Sequence, residues 1–214
     1  EVFVGACAGV GVFDYGFARG REAPLVRVQV SGPIEVRWGD PFELRTESHE
    51  LLGRGTCLYP DSPLPGELKP ARRKALLMRL ALGEKDMLLA LTEAGGLEGL
   101  HGERLAFFSR LSAARVEVLA RALEGEGKLR ILVFNPLRLI SQDSLDFLRG
   151  QIVSFLARYH KTHTAQRGVP LEKLEKRFET PRAVLVLALR LLAKEGRAVE
   201  EGGIVRLPDF RIPL

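Results

Sequence analysis

The alternation of hydrophobic and polar positions changes its period near residue 62, which divides the chain into a β-rich part and a helical part. In residues 1–62, short runs of β-branched and aromatic residues are separated by Gly and Pro, as is typical of strands joined by turns. This pattern predicts a partial small β-barrel over residues 1–62. The predicted strands cover residues 1–4, 25–30, 34–36 and 42–45, and residues 5–20 show no clear period.

After residue 62 the period becomes helical, and a Pro-rich stretch at residues 61–66 predicts a hinge at the boundary. Residues 63–140 predict helices followed by a hairpin around an Asn135-Pro136 turn, which is the order of a winged helix. The predicted helices cover residues 71–82, 84–94, 102–109 and 112–124, and the predicted strands cover 129–134 and 137–140.

The same order recurs in residues 141–214, which predict a second winged helix. Ser141 is expected to cap a helix reaching residue 160, and a short helix follows at 171–178. Thr180 predicts an N-cap, with Pro181 at the first helical position of a helix that ends near residue 195. Gly202 and Gly203 predict a tight turn in a final hairpin. The predicted fold class is therefore α+β and multidomain: a partial small β-barrel followed by two tandem winged-helix domains.

Charge is spread unevenly along a chain whose net charge is +5. Residues 1–62 carry six Lys and Arg against nine Asp and Glu, whereas residues 63–140 and 141–214 each carry thirteen against nine. The excess of Lys and Arg in residues 63–214 favours an anionic partner, and it favours nucleic acid over a membrane surface. The longest apolar run, residues 183–189, has seven residues, far below the roughly 18 that span a bilayer. A membrane partner is therefore not expected.

The two cysteines, Cys7 and Cys57, are too few for a disulfide framework and lack metal-ligand spacing. Each is expected to be a small buried hydrophobe in a reducing compartment, so the expected location is the cytoplasm. No secretory signal precedes the first strand. The chain also lacks an initiator Met, and we expect it to be a fragment of a longer protein.

Catalytic motifs are missing from the sequence, and no enzymatic activity is expected of this fragment. The glycines around Gly9 and Gly11 do not lead from a strand into a helix, which argues against a phosphate-binding loop. His160 and His163 could share a helix face, but no third ligand stands nearby, so no metal site is expected. Alternating Glu and Lys at residues 172–176 is typical of a solvated helix face.

The helix after Thr180 offers the best candidate nucleic-acid contact. Its apolar stripe is expected to consist of Val184, Leu187, Ala188, Leu191 and Leu192, and the opposite face is basic and poor in acid. In a winged helix this third helix usually enters a groove, where cations contact phosphates. The equivalent helix of the first module has a mixed face, with Arg115 and Arg121 beside Glu117 and Glu124. An ordinary solvated surface remains the alternative for the candidate residues Arg182, Arg190, Lys194 and Arg197.

Several stretches resemble a known family of translation factors. The sequences LVRVQVSGPI (25–34), GDPFELR (39–45) and LGRGTCLYP (52–60) resemble the third domain of elongation-factor-Tu-like proteins. They are most similar to the bacterial selenocysteine-specific elongation factor family, in which that domain leads into a series of winged helices. YHKTH (159–163), GVPLEKL (168–174) and GGIVRLP (202–208) resemble the second of those winged helices.

This resemblance implies a function for the whole factor: delivery of selenocysteinyl-tRNA to a UGA codon on the ribosome, guided by an mRNA hairpin. It implies GTP and Mg²⁺ as cofactors of the complete protein, bound by an upstream GTPase domain that this sequence lacks, and no cofactor for this monomeric fragment. It also implies that Arg45, Thr46 and Glu47 face the T-stem of the tRNA. Two alternatives remain open, a tandem winged-helix regulator that binds DNA and a structural spacer that binds nothing.

Overall fold

The computed structural model describes residues 2–4, 7–14, 25–31, 35–60 and 70–210, which form a mixed α/β structure. The chain divides into two compact units, one of Glu1–Ala81 with Ala106–Leu111 and one of Leu82–Leu105 with Ser112–Leu214. The predicted hinge at 61–66 lies outside the described residues, and so does the predicted boundary at residue 62.

The strands of the first unit form one antiparallel sheet in the order β3-β2-β1-β4-β5. Its edges, β3 and β5, do not pair with each other, so the described strands form an open sheet and no closed barrel. Residues 35 and 36, predicted to be strand, are not in a strand, whereas β2 and β5 were not predicted. The strands are β1 (Val2–Val4), β2 (Cys7–Asp14), β3 (Arg27–Ser31), β4 (Pro41–Arg45) and β5 (Leu51–Thr56).

Glycines explain why β2 and β5 were not predicted from alternating hydrophobic residues. Gly9 and Gly11 lie inside β2, and Gly53 and Gly55 lie inside β5, where they interrupt the period of two. Gly55 pairs with Phe42 of β4, and a Cβ at position 55 would collide with the Phe42 ring. The ring thus covers the backbone that the glycine exposes. Because Gly9 and Gly11 belong to a strand, they do not form a phosphate-binding loop.

Trp38 links the sheet to the rest of the first unit. Its indole Nε1 donates a hydrogen bond of 3.0 Å to the carbonyl of Leu80, the last residue of α1 (Pro70–Leu80). Its backbone N–H donates to the carbonyl of Phe108 at 2.8 Å. The Phe108 ring meets the edge of Tyr59 at a centroid distance of 5.4 Å. These contacts place residues 106–111 with the sheet rather than with the second unit.

Except for the short strand β6, which was not predicted, the next elements agree with the predicted ranges to within one or two residues. The order is helix, short strand, two helices and a hairpin, and the three strands form a sheet in the order β6-β8-β7. Ser112, predicted as the first residue of a helix, is instead its N-cap and accepts a hydrogen bond from the Arg115 N–H at 3.2 Å. The elements are α2 (Glu84–Ala94), β6 (Leu100–His101), α3 (Gly102–Phe108), α4 (Ala113–Gly125), β7 (Leu129–Phe134) and β8 (Leu137–Ser141).

The following elements repeat that order, and their sheet, β10-β11-β9, pairs its strands in the same way. Ser141 caps α5 as predicted, accepting from the Ser144 N–H at 3.2 Å. Gly202 and Gly203 have φ values of 59° and 77°, the left-handed geometry that the predicted turn requires. The elements are α5 (Gln142–Thr162), β9 (Val169–Pro170), α6 (Leu171–Phe178), α7 (Arg182–Lys194), β10 (Val199–Glu201) and β11 (Ile204–Arg206).

The predicted start of α7 is wrong by one residue. Pro181 occupies the N-cap position, and its carbonyl accepts from the N–H groups of Val184 and Leu185. Thr180 is buried, and its hydroxyl has no hydrogen-bond partner. Packing therefore turns Thr180 into the protein interior instead of toward the free N–H groups of the helix.

A buried cluster holds α5, α6, α7 and β11 together. Ile152 and Leu156 of α5, Leu174 of α6 and Val205 of β11 are fully buried in it. From α7 the cluster includes Val184, Leu185, Ala188, Leu189 and Leu192, with Leu187 and Leu191 packed at its edge. The apolar side of α7 is therefore wider than the predicted stripe, because Leu185 and Leu189 are buried as well.

A glycine occupies the same place in both repeats. Gly99 precedes β6, and a Cβ there would collide with the Leu139 carbonyl of β8. Gly168 precedes β9, and a Cβ there would lie 2.6 Å from the Val205 carbonyl of β11. The sequences GLHGERL (99–105) and GVPLEKL (168–174) thus align residue by residue with equivalent contacts. None of the helices in the described ranges is long and apolar enough to cross a membrane.

Candidate nucleic-acid interface

The side of α7 that faces away from the core is basic. Arg182, Arg190 and Lys194 are exposed, and so is Arg197 just beyond the C-cap, as predicted. At 100° per residue these positions fall within about a third of the helix circumference, with small Ala183 and Ala193 among them. Neither Asn nor Gln occurs on this helix, so the face has no amide suited to reading a base edge.

Two of the four cations on this face are paired with carboxylates, which the sequence did not indicate. Glu175 of α6 lies 3.3 Å from the Arg182 guanidinium. Glu195, the C-cap of α7, lies 3.8 Å from Arg197 and also pairs with Arg149 of α5. Arg190 and Lys194 form no ion pair with any residue in the described ranges. The free positive charge of α7 therefore belongs to Arg190 and Lys194.

The corresponding helix of the first repeat, α4, has the mixed face that its sequence predicts. Arg121 pairs with Glu117 one turn away at 2.8 Å, and Arg115 pairs with Glu84 of α2 at 2.6 Å. Glu124 accepts a hydrogen bond from the Ile131 N–H at 3.0 Å. Each arginine of this face is thus balanced by a carboxylate, and the face offers phosphate little net charge.

The three residues assigned to tRNA contact by resemblance lie in the turn that joins β4 to β5. The Arg45 guanidinium donates to Glu43 at 2.6 Å and to the His49 carbonyl at 3.0 Å. Thr46 closes the turn, because its hydroxyl accepts from the Glu50 N–H at 3.0 Å. Glu47 is exposed at the tip. Hydrogen bonds from Arg45, and then from Arg54, lower the pKa of the Glu43 carboxyl.

These three residues belong to the first unit and the α7 cations to the second. Within the turn, Arg45 is held along the strand by Glu43, while Thr46 and Glu47 remain at the surface or close to it. The predicted site residues therefore form two separate groups, each ordered by its own local contacts.

The two histidines near the end of α5 lie in different aromatic stacks. His160 is buried and stacks on Phe210 at a centroid distance of 3.7 Å. His163, the C-cap, stacks on Tyr159 at 4.1 Å. Burial, and then the charge of Arg206, lowers the pKa of His160. No cluster of three or more His, Cys, Asp or Glu suited to a metal ion occurs among the residues that the structure describes.

Cys57 is half-buried after β5 and carries a free thiol. Desolvation raises the pKa of this thiol to about 11, so it is protonated at neutral pH. A protonated thiol is a weak nucleophile, and the side chain is half-buried rather than fully buried as predicted. The side chain of Cys7, the other cysteine, lies outside what the structure describes.

Sequence reasoning missed a basic face on α6. Lys173, Lys176 and Arg177 are all exposed and stand at positions i, i+3 and i+4, which lie on one side of a helix. The alternation of Glu and Lys concealed this side, because neighbouring residues in a helix point in different directions. Plotting the charges at 100° per residue would have revealed it.

Comparison with known proteins adds a family likeness to this geometry. No curated protein matches the chain. A solved structure titled "Crystal structure of bacterial selenocysteine-specific elongation factor EF-Sec" is similar, with 14% sequence identity and a TM-score of 0.40. That match covers 96% of this chain and 50% of the other, so the chain spans about half its length. Residues 153–207, about a quarter of the chain, match the family model described as "Elongation factor SelB, winged helix". The chain thus contains a segment similar to the winged helix of elongation factor SelB.

Proposed function

We propose that the chain is a region of a selenocysteine-specific translation elongation factor, with residues 63–140 and 141–214 as tandem winged helices that contact RNA. The observation that carries this proposal is the match of residues 153–207 to the SelB winged-helix model. The shared order of elements in the two repeats supports the tandem arrangement. The low acid content of the exposed side of α7 supports an anionic partner.

In this proposal the complete factor delivers selenocysteinyl-tRNA to UGA codons in the cytoplasm, guided by an mRNA hairpin. GTP and Mg²⁺ act in a GTPase domain elsewhere in that factor, and the present region catalyses no reaction. The turn containing Arg45, Thr46 and Glu47 faces the tRNA. The contribution of α7 is to hold RNA through its phosphates, without reading its sequence.

Arg190 and Lys194 are the residues that supply this contact. Both are exposed on one side of α7, and neither is neutralised by a carboxylate in the described ranges. Arg182 and Arg197 contribute less, because Glu175 and Glu195 already balance them. Two phosphate contacts correspond to a slope of about −1.4 to −1.8 when log affinity is plotted against log salt.

Fluorescence anisotropy across a salt series tests this contact. The probes are a labelled RNA hairpin, its scrambled sequence and the DNA form of each, and the variant is Arg190→Glu/Lys194→Glu. The matched control is Arg115→Glu/Arg121→Glu on α4, where both arginines are already paired. We expect equal binding of the two RNAs, and a slope that flattens by about 1.4 to 1.8 in the α7 variant only.

Other results would select the alternatives. Tighter binding of one DNA sequence than of any RNA would indicate a DNA-binding regulator. Equal behaviour of wild type and the α7 variant at low salt would show that this face is a solvated surface, as expected of a spacer.

A further inference from the structure

The basic face of α6 is separated from its acidic and apolar sides. At 100° per residue, Lys173, Lys176 and Arg177 lie within about 100° of each other. The acidic residues of this region occupy a second sector, and Leu171, Leu174 and Phe178 occupy a third, which faces the core. The acidic sector contains Glu172, Glu175 and Glu179, and Glu175 is the partner of Arg182. Positive charge is therefore concentrated on one side of a short helix.

Tyr159 connects this face to the end of α5. The Lys173 ammonium lies 4.4 Å from the centroid of the Tyr159 ring, and the His163 imidazole stacks on the same ring at 4.1 Å. The Tyr159 hydroxyl donates a hydrogen bond to Gln166, next to Arg167. The buried tyrosine thus holds the loop after α5, which carries the exposed Arg167, beside α6.

The cations of this region lack acidic partners. Residues 158–177 contain six Lys and Arg but only two Glu. None of the six forms an ion pair with a described residue, whereas in α4 and at both ends of α7 the arginines are paired. Unpaired, clustered cations on an ordered surface repel one another and favour a polyanion as partner.

The fold itself does not require these cations. In the first repeat, Arg104, Phe107 and Phe108 occupy the positions of Lys173, Lys176 and Arg177, following the alignment of residues 99–105 with 168–174. The same helix therefore forms with aromatic residues at two of the three positions. The fold of this unit therefore does not by itself require cations at positions 176 and 177.

From these observations we infer that His163, Arg167, Lys173, Lys176 and Arg177 form a second surface that binds the phosphate backbone of RNA. The surface follows from the charges of α6 and of the loop after α5 and is independent of α7. The choice of RNA over other polyanions rests on the proposed function. Binding is sequence-independent, because the contacts are point charges to phosphates rather than amide contacts to bases.

The experiment uses the whole chain and a fluorescein-labelled RNA hairpin in anisotropy titrations from low to high salt. The variant Lys173→Glu/Lys176→Glu reverses two charges of the face. Arg167→Glu/Arg177→Glu serves as a second variant, because neither side chain contacts the Tyr159 ring. The control, Arg72→Glu/Arg104→Glu, makes the same change of net charge at exposed arginines elsewhere. Circular dichroism verifies that each variant is folded.

We expect both variants to weaken binding at low salt and to flatten the salt slope by about 1.4 to 1.8, with the control unchanged. Equal losses in the variants and the control would overturn the inference, because they would reflect net charge alone. Losses confined to Arg190→Glu/Lys194→Glu would also overturn it and leave the proposed role of α7 standing. Losses confined to the two variants of this surface would support it and contradict the role of α7.

Discussion

His160 is a buried ionisable residue whose ring nitrogens, Nδ1 and Nε2, have no hydrogen-bond partner. Its imidazole stacks on Phe210 and lies near the Arg206 guanidinium, which disfavours a second positive charge. The neutral ring behaves as an aromatic core residue that joins α5 to the segment after β11. Protonation would place an uncompensated charge in this site, at a large cost in free energy.

We predict that the stability of the second repeat falls as the pH drops below about 6.5, the ordinary pKa of histidine. Because the folded-state pKa of His160 is lowered, the unfolded chain binds more protons than the folded chain at mildly acidic pH. The contribution of neutral His160 is complete above that pH and decreases below it. Thermal unfolding followed by circular dichroism, from about pH 7.5 to pH 5, measures the effect.

The variant His160→Leu should lose this pH dependence, whereas His163→Gln, which removes a half-buried histidine nearby, should keep it. A pH dependence in His160→Leu as steep as that of wild type would contradict the assignment.

Asp40 accepts three hydrogen bonds in the first unit. Its carboxylate accepts from the Arg110 guanidinium at 3.0 and 3.1 Å and from the Arg37 N–H at 2.9 Å. The hydrogen bonds from Arg110 lower the pKa of Asp40. A lowered carboxyl pKa adds stability that is complete above the unfolded value of about 3.9 and is lost as the pH falls through the folded value.

We therefore predict that wild type resists urea better than Asp40→Asn at neutral pH, and that the difference shrinks at acidic pH, as the pH falls below the unfolded value of about 3.9. The emission of Trp38, the single tryptophan, reports unfolding close to the site. Glu35, the carboxylate partner of Arg37, has a side chain that is 71% exposed. Glu35→Gln should therefore change the resistance to urea very little at either pH. A difference between wild type and Asp40→Asn that is the same at both pH values would refute the linkage.

The N-cap Ser141 fixes the start of α5, the longest helix in the described residues. The Ser141 hydroxyl, buried at the end of β8, accepts from the Ser144 N–H and also bonds the Ser144 hydroxyl at 2.8 Å. Removal of an N-cap oxygen costs about 1 kcal/mol. We predict that Ser141→Ala lowers the free energy of unfolding by about that amount in urea titrations followed by circular dichroism.

Ser154→Ala is the matched control for this prediction, since Ser154 is exposed in the middle of α5. Its effect should stay within about 0.5 kcal/mol. Equal effects of the two substitutions would mean that the cap contributes nothing.

The two repeats show how far local sequence specifies an element. The ranges of α2, α6 and β7 coincide with those predicted, because each has Gly or Pro within three residues of both ends and carries a clear period. The two-residue strands β6 and β9 have no period at all. They exist because the glycine before each one allows its backbone to approach a strand of the hairpin.

At the scale of the whole chain, we predict that this region does not bind or hydrolyse GTP. Phosphoryl transfer needs a phosphate-cradling loop, its lysine and a set of Mg²⁺ ligands, and the sequence has no GxxxxGK[ST] motif. Gly9 and Gly11, the nearest approach to a glycine-rich loop, lie in β2. Isothermal titration with GTP and Mg²⁺ should give no binding heat, and a micromolar site would prove the prediction wrong.

The sequence by itself determined the order of the helices and hairpin strands in residues 70–207, most of their limits and the repeat, but not the short strands β6 and β9. These features follow from local rules, since hydrophobic periods select helix or strand and Gly and Pro restrict the backbone at the ends. The tertiary structure decided which strands pair into an open sheet, that Thr180 is buried instead of capping α7, and that Leu185 and Leu189 join the core.

The tertiary structure also decided which cations of the candidate interface are free. Glu175 reaches Arg182 from another helix, and Glu195 is shared by Arg149 and Arg197, so two predicted contacts are already neutralised. The basic face of α6 adjoins the end of α5 because the core packs the two helices together, and the buried Tyr159 ring contacts both Lys173 and His163. A charge is visible in a sequence, but its partners depend on how distant elements pack, and that is settled only by the folded chain.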